Sequence, residues 1–126
     1  VFDMQDVGVR FYTFISTLAA VMRAAAQHGK ELIVLDRPNP VNGWQIEGPI
    51  VQTGLESFIS ALPVPIRYGL TPGELARWIQ ATTKLDLELR VIPLKNWSRR
   101  QWFDETGLPW VPLSPGMPQF STTIVY

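Results

Sequence analysis

A chain of 126 residues is the size of one domain or part of one, and 46% hydrophobic with 17% charged residues is the balance of a sequence that folds. Eleven Lys and Arg against eleven Asp and Glu leave no net positive field to neutralise phosphates, which argues against nucleic acid and anionic lipid as partners. The absence of cysteine excludes disulfides and thiolate metal centres, and the lone histidine, His28, argues against a histidine-rich metal site.

No apolar run reaches the roughly 20 residues that span a bilayer, and no basic start followed by an apolar stretch reads as a signal peptide. The chain opens on Val1-Phe2-Asp3 and closes on Thr123-Ile124-Val125-Tyr126, so both ends are expected to be internal to a longer protein, with any leader outside them.

Val1 and Phe2 read as the end of a strand, followed by a polar loop from Asp3 to Arg10. Phe11, Phe14, Ile15, Leu18, Val21, Met22 and Ala25 then recur at helical spacing, and Gly29 stands where a left-handed terminator belongs, which predicts a helix over residues 11–28. Leu32-Ile33-Val34-Leu35 is apolar without alternation, the pattern of a central parallel strand covered on both faces. Strand, helix and strand make a βαβ unit, so the loops after Phe2 and Leu35 should open on one sheet edge, where open α/β sheets bind ligands.

Asp36 to Gly43 is a shaped loop of prolines, asparagines and glycine. A short helix is expected near Glu56 to Ala61, and an extended segment over Pro63 to Tyr68. Thr71-Pro72-Gly73-Glu74 is a helix start in which Thr71 caps, Pro72 takes the first helical position and Glu74 completes a capping box; that helix should run to about Thr82. Leu85 to Pro93 alternates apolar with charged residues, as a strand with one wet face near the sheet edge would. Residues 94–118, with Trp97, Trp102, Trp110 and four prolines, form a long aromatic loop, the kind that usually carries function. The expected fold class is thus α/β, a Rossmann-like parallel sheet with flanking helices, in an incomplete domain.

Three polar clusters follow the strands: Asp3-Met4-Gln5-Asp6, Asp36-Arg37-Pro38-Asn39-Pro40 and Glu47-Gly48-Pro49. Carboxylate, amide and guanidinium groups engage neighbouring hydroxyls that both donate and accept, so the clusters suit a polyhydroxyl ligand, with tryptophan offering an apolar face to a sugar ring. Glycosidic cleavage needs a carboxyl group that donates a proton, and Glu47 is a candidate. The structural alternative is as natural for these residues: Asp and Asn at strand ends form turns, Asp6 and Arg10 can pair or cap the next helix, Arg37 can tether its loop, and tryptophans more often pack than bind. Neither G-x-G-x-x-G nor G-x-x-x-x-G-K-S/T occurs, nor does a G-x-S-x-G elbow, which removes the common nucleotide and hydrolase readings of such a layout.

The run Asp3-Met4-Gln5-Asp6-Val7-Gly8-Val9-Arg10-Phe11-Tyr12-Thr13-Phe14 resembles the signature of the exo-β-N-acetylmuramidase family, once known only as a domain of unknown function. The resemblance continues through Leu35 to Pro40, Glu47-Gly48-Pro49, Gly69 to Ala76 and Phe103 to Pro112, an ordered set covering nearly the whole chain. It departs from the family pattern at Tyr68, where histidine is frequent, and at Gly116, where asparagine is frequent. The resemblance implies that the chain is the C-terminal part of a Rossmann-like catalytic domain, with the family's smaller C-terminal domain absent. It implies release of terminal non-reducing N-acetylmuramic acid from peptidoglycan fragments, without a metal or redox cofactor, by a periplasmic or secreted parent.

By the same resemblance Glu47 is the catalytic residue, and Asp3, Gln5, Asp6, Arg10, Tyr12, Asp36, Arg37 and Asn39 form the site or hold substrate. The second carboxyl group is unassigned between Asp6, Asp36 and residues outside the chain. A non-catalytic module that binds wall sugars is the alternative from another functional class. A sheet edge left uncovered would be open to pairing with a second copy of the chain.

Overall fold

The apolar run Leu32–Leu35 is strand β1, the middle of a short parallel ribbon. The computed structural model describes residues 1–126. Phe2 pairs with Val34 on one side of β1, through Phe2 N–H to the Ile33 carbonyl at 2.8 Å and Leu35 N–H to the Phe2 carbonyl at 3.0 Å. Strand β2, Leu89–Ile92, pairs with the other side in the register Leu32 to Leu89 through Leu35 to Ile92. The predicted extended stretch begins earlier, at Leu85, but β1 offers only four partners, and Leu85 and Leu87 reach the core without ladder bonds.

Helix α1, Phe14–Gln27, joins Phe2 to β1, and helix α2, Pro72–Thr83, precedes β2. α1 begins three residues after Phe11, because Val9 and Arg10 pair with the Ile66–Arg67 backbone and Tyr12 closes a turn on the Val9 carbonyl. α2 carries the full capping box: Glu74 N–H donates to the Thr71 hydroxyl and Thr71 N–H to the Glu74 carboxylate. Ile15, Leu18, Ala19 and Met22 of α1 meet Leu75, Ala76 and Ile79 of α2 and Leu32 and Val34 of β1 in the main core.

Coverage of the sheet differs from expectation. Leu32 and Val34 are buried while Ile33 and Leu35 are only partly so, and in β2 Arg90 and Ile92 are exposed, so one face is packed and the other is open. The helix expected near Glu56 to Ala61 is absent; turns occupy the segment, and Leu55, Phe58 and Ile59 face solvent. Without a surface to pack on, a helix so short does not recover the cost of nucleation.

The long C-terminal loop holds a single 3-10 turn at Phe103–Thr106 and a last short helix, α3, at Thr122–Val125. Phe103, Trp110 and Phe120 pack edge to face or tilted, at centroid separations of 5.0 to 6.2 Å. No helix is long and apolar enough to cross a membrane.

Candidate functional site

The parallel pairing of Phe2 with β1 sends the loops after both out at the same edge, so the first two polar clusters meet. Arg37 grips Asp3 through Nη2 at 2.6 Å and Nε at 2.7 Å, in a pair whose side chains are both substantially exposed. Gln5 Nε2 donates to the Pro38 carbonyl at 2.9 Å, bridging the two loops. Gln5 and Arg37 line a cavity of about 200 Å³ with Trp110 and Leu113 on its far wall.

Asp36 turns the other way. Its carboxylate accepts from the Thr71 hydroxyl at 2.9 Å, the Gly73 N–H at 2.7 Å and the Arg37 N–H at 3.0 Å, fastening β1 to the start of α2. Gly73 is required there, since a Cβ would lie 2.6 Å from Val91 and 2.7 Å from the Asp36 carboxyl carbon. Partial burial raises the Asp36 carboxyl above its ordinary value, against the three hydrogen bonds that favour its charge.

Asn39 is buried and shares its amide between the Leu70 carbonyl, 3.0 Å, and the Val41 N–H, 3.1 Å. Gly8 packs against it so closely that a Cβ would stand 2.2 Å from its oxygen. Asp6 is buried as well, accepting from the Gly8 N–H at 2.7 Å and from the Tyr68 hydroxyl, with Oδ1 unpartnered. Burial drives the Asp6 carboxyl up to about 6, against the bonds from Tyr68, Gly8 and Val7; burial and the neighbouring carboxylate hold the Tyr68 phenol well above its ordinary value. Tyr12 packs on Phe14 and donates to the Leu113 carbonyl at 3.1 Å.

Arg10 links the first cluster to the third. Its buried guanidinium donates through Nη1 to the Pro49 carbonyl at 2.7 Å and the Val64 carbonyl at 2.6 Å, holding the Glu47-Gly48-Pro49 turn against the body. The Arg67 backbone runs between Val9 and Glu47, bridging both in antiparallel fashion. Gly48, at φ +80°, lies under Ile66, where a Cβ would come within 2.8 Å, so a side chain in that place would lift the turn.

Glu47 is thereby set at the rim of a second cavity, of about 310 Å³, with Ile66, Arg67, Trp102 and Tyr126 on its walls. Arg67 Nη1 meets the Glu47 carboxylate at 3.2 Å; the glutamate side chain is 62% exposed and the arginine 14%, so the anchored partner is the arginine. The Arg67 guanidinium also donates to the Val41 carbonyl and lies 5.0 Å from the centre of the Trp102 ring.

Of the residues predicted for a site, Asp3, Gln5 and Arg37 come together at the sheet edge, and Glu47 occupies a separate cavity that shares no lining residue with theirs. Asp6, Arg10 and Asn39 lie behind these surfaces, bonded to backbone or to side chains of the frame, while Asp36, bonded to Thr71 and Gly73, borders a third cavity of about 200 Å³ beside Arg77 and Trp97. Sequence reading missed Arg67, whose partner is 20 positions away and visible only once the two segments pair. No group of three or more His, Asp or Glu side chains is placed to hold a metal ion.

Residues 1–121 match the family model described as the N-terminal part of the exo-β-N-acetylmuramidase NamZ. The peptidoglycan β-N-acetylmuramidase NamZ of Bacillus subtilis (strain 168) is 47% identical over 125 residues, 99% of this chain and 30% of the relative. A crystal structure of a DUF1343 family protein from Bacteroides fragilis NCTC 9343 superposes with TM-score 0.93 at 45% identity, over 96% of this chain and 32% of that one. A second DUF1343 protein of the same strain gives TM-score 0.88 at 36% identity, over 98% and 35%. The chain thus spans about a third of the length of the relatives it matches.

Proposed function

This chain belongs to the exo-β-N-acetylmuramidase NamZ family, and from that premise we propose that it is the part of a peptidoglycan glycoside hydrolase that carries the catalytic carboxyl group, Glu47. The parent releases N-acetylmuramic acid from the non-reducing end of wall fragments, in cell-wall turnover or recycling, as a periplasmic or secreted enzyme. The chain is the C-terminal part of its Rossmann-like domain.

The observation that carries the assignment is the contrast in hydrogen bonding among the carboxylates. Asp6 is buried and engaged by Tyr68 and Gly8, so it cannot approach a glycosidic oxygen without dismantling the frame, and Asp36 commits its carboxylate to Thr71, Gly73 and the Arg37 N–H. Glu47 has a single side-chain partner, projects from a turn fixed by Arg10, and borders a cavity that is largely apolar on its other walls. A carboxyl group at that place can meet the reacting end of a sugar while Trp102 and Ile66 take the apolar side of its ring.

The test is to incubate the full-length parent with a chromogenic β-N-acetylmuramide and, in parallel, with the matching N-acetylglucosaminide. Release from the muramide alone is expected. Glu47→Gln should lower that rate by about 100-fold or more and leave the thermal unfolding midpoint in place; a variant that keeps most of the rate removes Glu47 from catalysis. Binding of muropeptide without release by the wild-type parent would indicate a sugar-binding module instead.

A further inference from the structure

We propose that Arg67 is the positioning residue for Glu47, setting the direction of its carboxylate over the cavity; the inference rests on the reading of Glu47 as the catalytic carboxyl group. Three features make the arginine a fixed post and the glutamate the group it fixes. The backbones of the two residues exchange both hydrogen bonds of an antiparallel bridge, Glu47 N–H to the Arg67 carbonyl at 3.0 Å and Arg67 N–H to the Glu47 carbonyl at 2.9 Å. The other edge of the Arg67 segment is held by the Val9 bridge, with Arg10 N–H on the Ile66 carbonyl at 2.8 Å, so the arginine sits in the middle of a three-segment ribbon.

The guanidinium is then immobilised beyond the bridge. It donates to the Val41 carbonyl, lies against Trp102 at 5.0 Å and keeps Nε buried without a partner. The fork geometry explains the arrangement: satisfying Val41 with one Nη and Glu47 with the other fixes the plane, and Nε falls where that plane puts it. The Glu47 side chain, 62% exposed, has no other anchor, and a freely rotating carboxylate would spend little time aimed at one bond.

The experiment uses the full-length parent with the chromogenic muramide. Arg67→Met should lower kcat by about 100-fold with KM within about threefold of wild type. Arg67→Lys, which can reach the carboxylate but not hold both acceptors in one plane, should recover part of kcat. In a Glu47→Gln background, Arg67→Met should cost little more, because the arginine acts through the missing carboxyl. If Arg67→Met does not fold, the Arg67→Lys split of kcat against KM decides. Unchanged kcat in Arg67→Lys and Arg67→Met, or losses that add in full to that of Glu47→Gln, would overturn the proposal. Failure of the underlying reading looks different: there Glu47→Gln itself keeps its rate.

Discussion

The sheet-edge cluster and the Glu47 turn are built from similar residues and used in opposite ways. At the edge, Asp36 closes on the start of α2 and Asn39 on two backbone groups, so the polar atoms are consumed in joining loops. At the turn, the consuming is done one layer back, by Arg10 and by the Arg67 bridge, and the carboxylate in front is left exposed. The difference teaches that a polar motif residue is best judged by where its hydrogen bonds end. Groups whose bonds end on the frame support a site, and groups with unfilled capacity beside a cavity are the ones left to act.

Arg10 is the hinge of this comparison, so its loss should have the largest effect on stability. Arg10→Met leaves the Val64 and Pro49 carbonyls without their donor and should cost roughly 3 kcal/mol. Chemical denaturation of the chain measures it. In the parent, the same change should lower muramidase turnover in the surviving folded enzyme, since the Glu47 turn loses its tether. A cost within about 0.5 kcal/mol, the level of an ordinary surface substitution, would mean that the turn is held by Arg67 alone.

Asp6 gives a test of similar kind and somewhat smaller size. Its carboxyl stands at about 6 in the folded chain against 3.8 as the ordinary value, so the folded state holds the proton more tightly than the unfolded state does. The protonated carboxyl is therefore favoured by folding: its contribution is complete below 3.8 and is lost as pH rises through about 6. The shift corresponds to a loss on the order of 3 kcal/mol between those limits as an upper bound. Asp6→Asn should flatten stability against pH across that window and leave the chain at least as stable as wild type at pH 7. A wild-type profile that rises with pH over the same range would refute the buried-carboxyl account.

Much of this frame was legible in the sequence, for local reasons. The Thr71-Pro72-Gly73-Glu74 capping box is a contiguous signal and appears intact, and the spacing of Ile15, Leu18 and Met22 gave the buried stripe of α1. The meeting of Asp3 with Arg37 followed from the βαβ order. What stayed hidden is non-local. The pairing of residues 9, 47 and 67 joins segments with no periodic pattern, and it delays the start of the helix expected from residue 11 to Phe14. The one-sided burial of β1 depends on what covers its second face, which an apolar run cannot specify.

The smallest effect separates the two regions most sharply. The Asp3–Arg37 pair is exposed on both sides, and Asp3→Asn should change stability by less than about 1 kcal/mol. If the sheet edge nonetheless holds substrate, as its place beside the Gln5 and Trp110 cavity favours, the parent carrying Asp3→Asn will show KM raised several-fold with kcat retained. That outcome extends the binding surface from the Glu47 cavity to the strand ends. Unchanged KM and kcat would reduce the edge to a tether between loops and leave the ligand to the Glu47 cavity, because an exposed pair that contributes neither stability nor binding has no remaining role at the site.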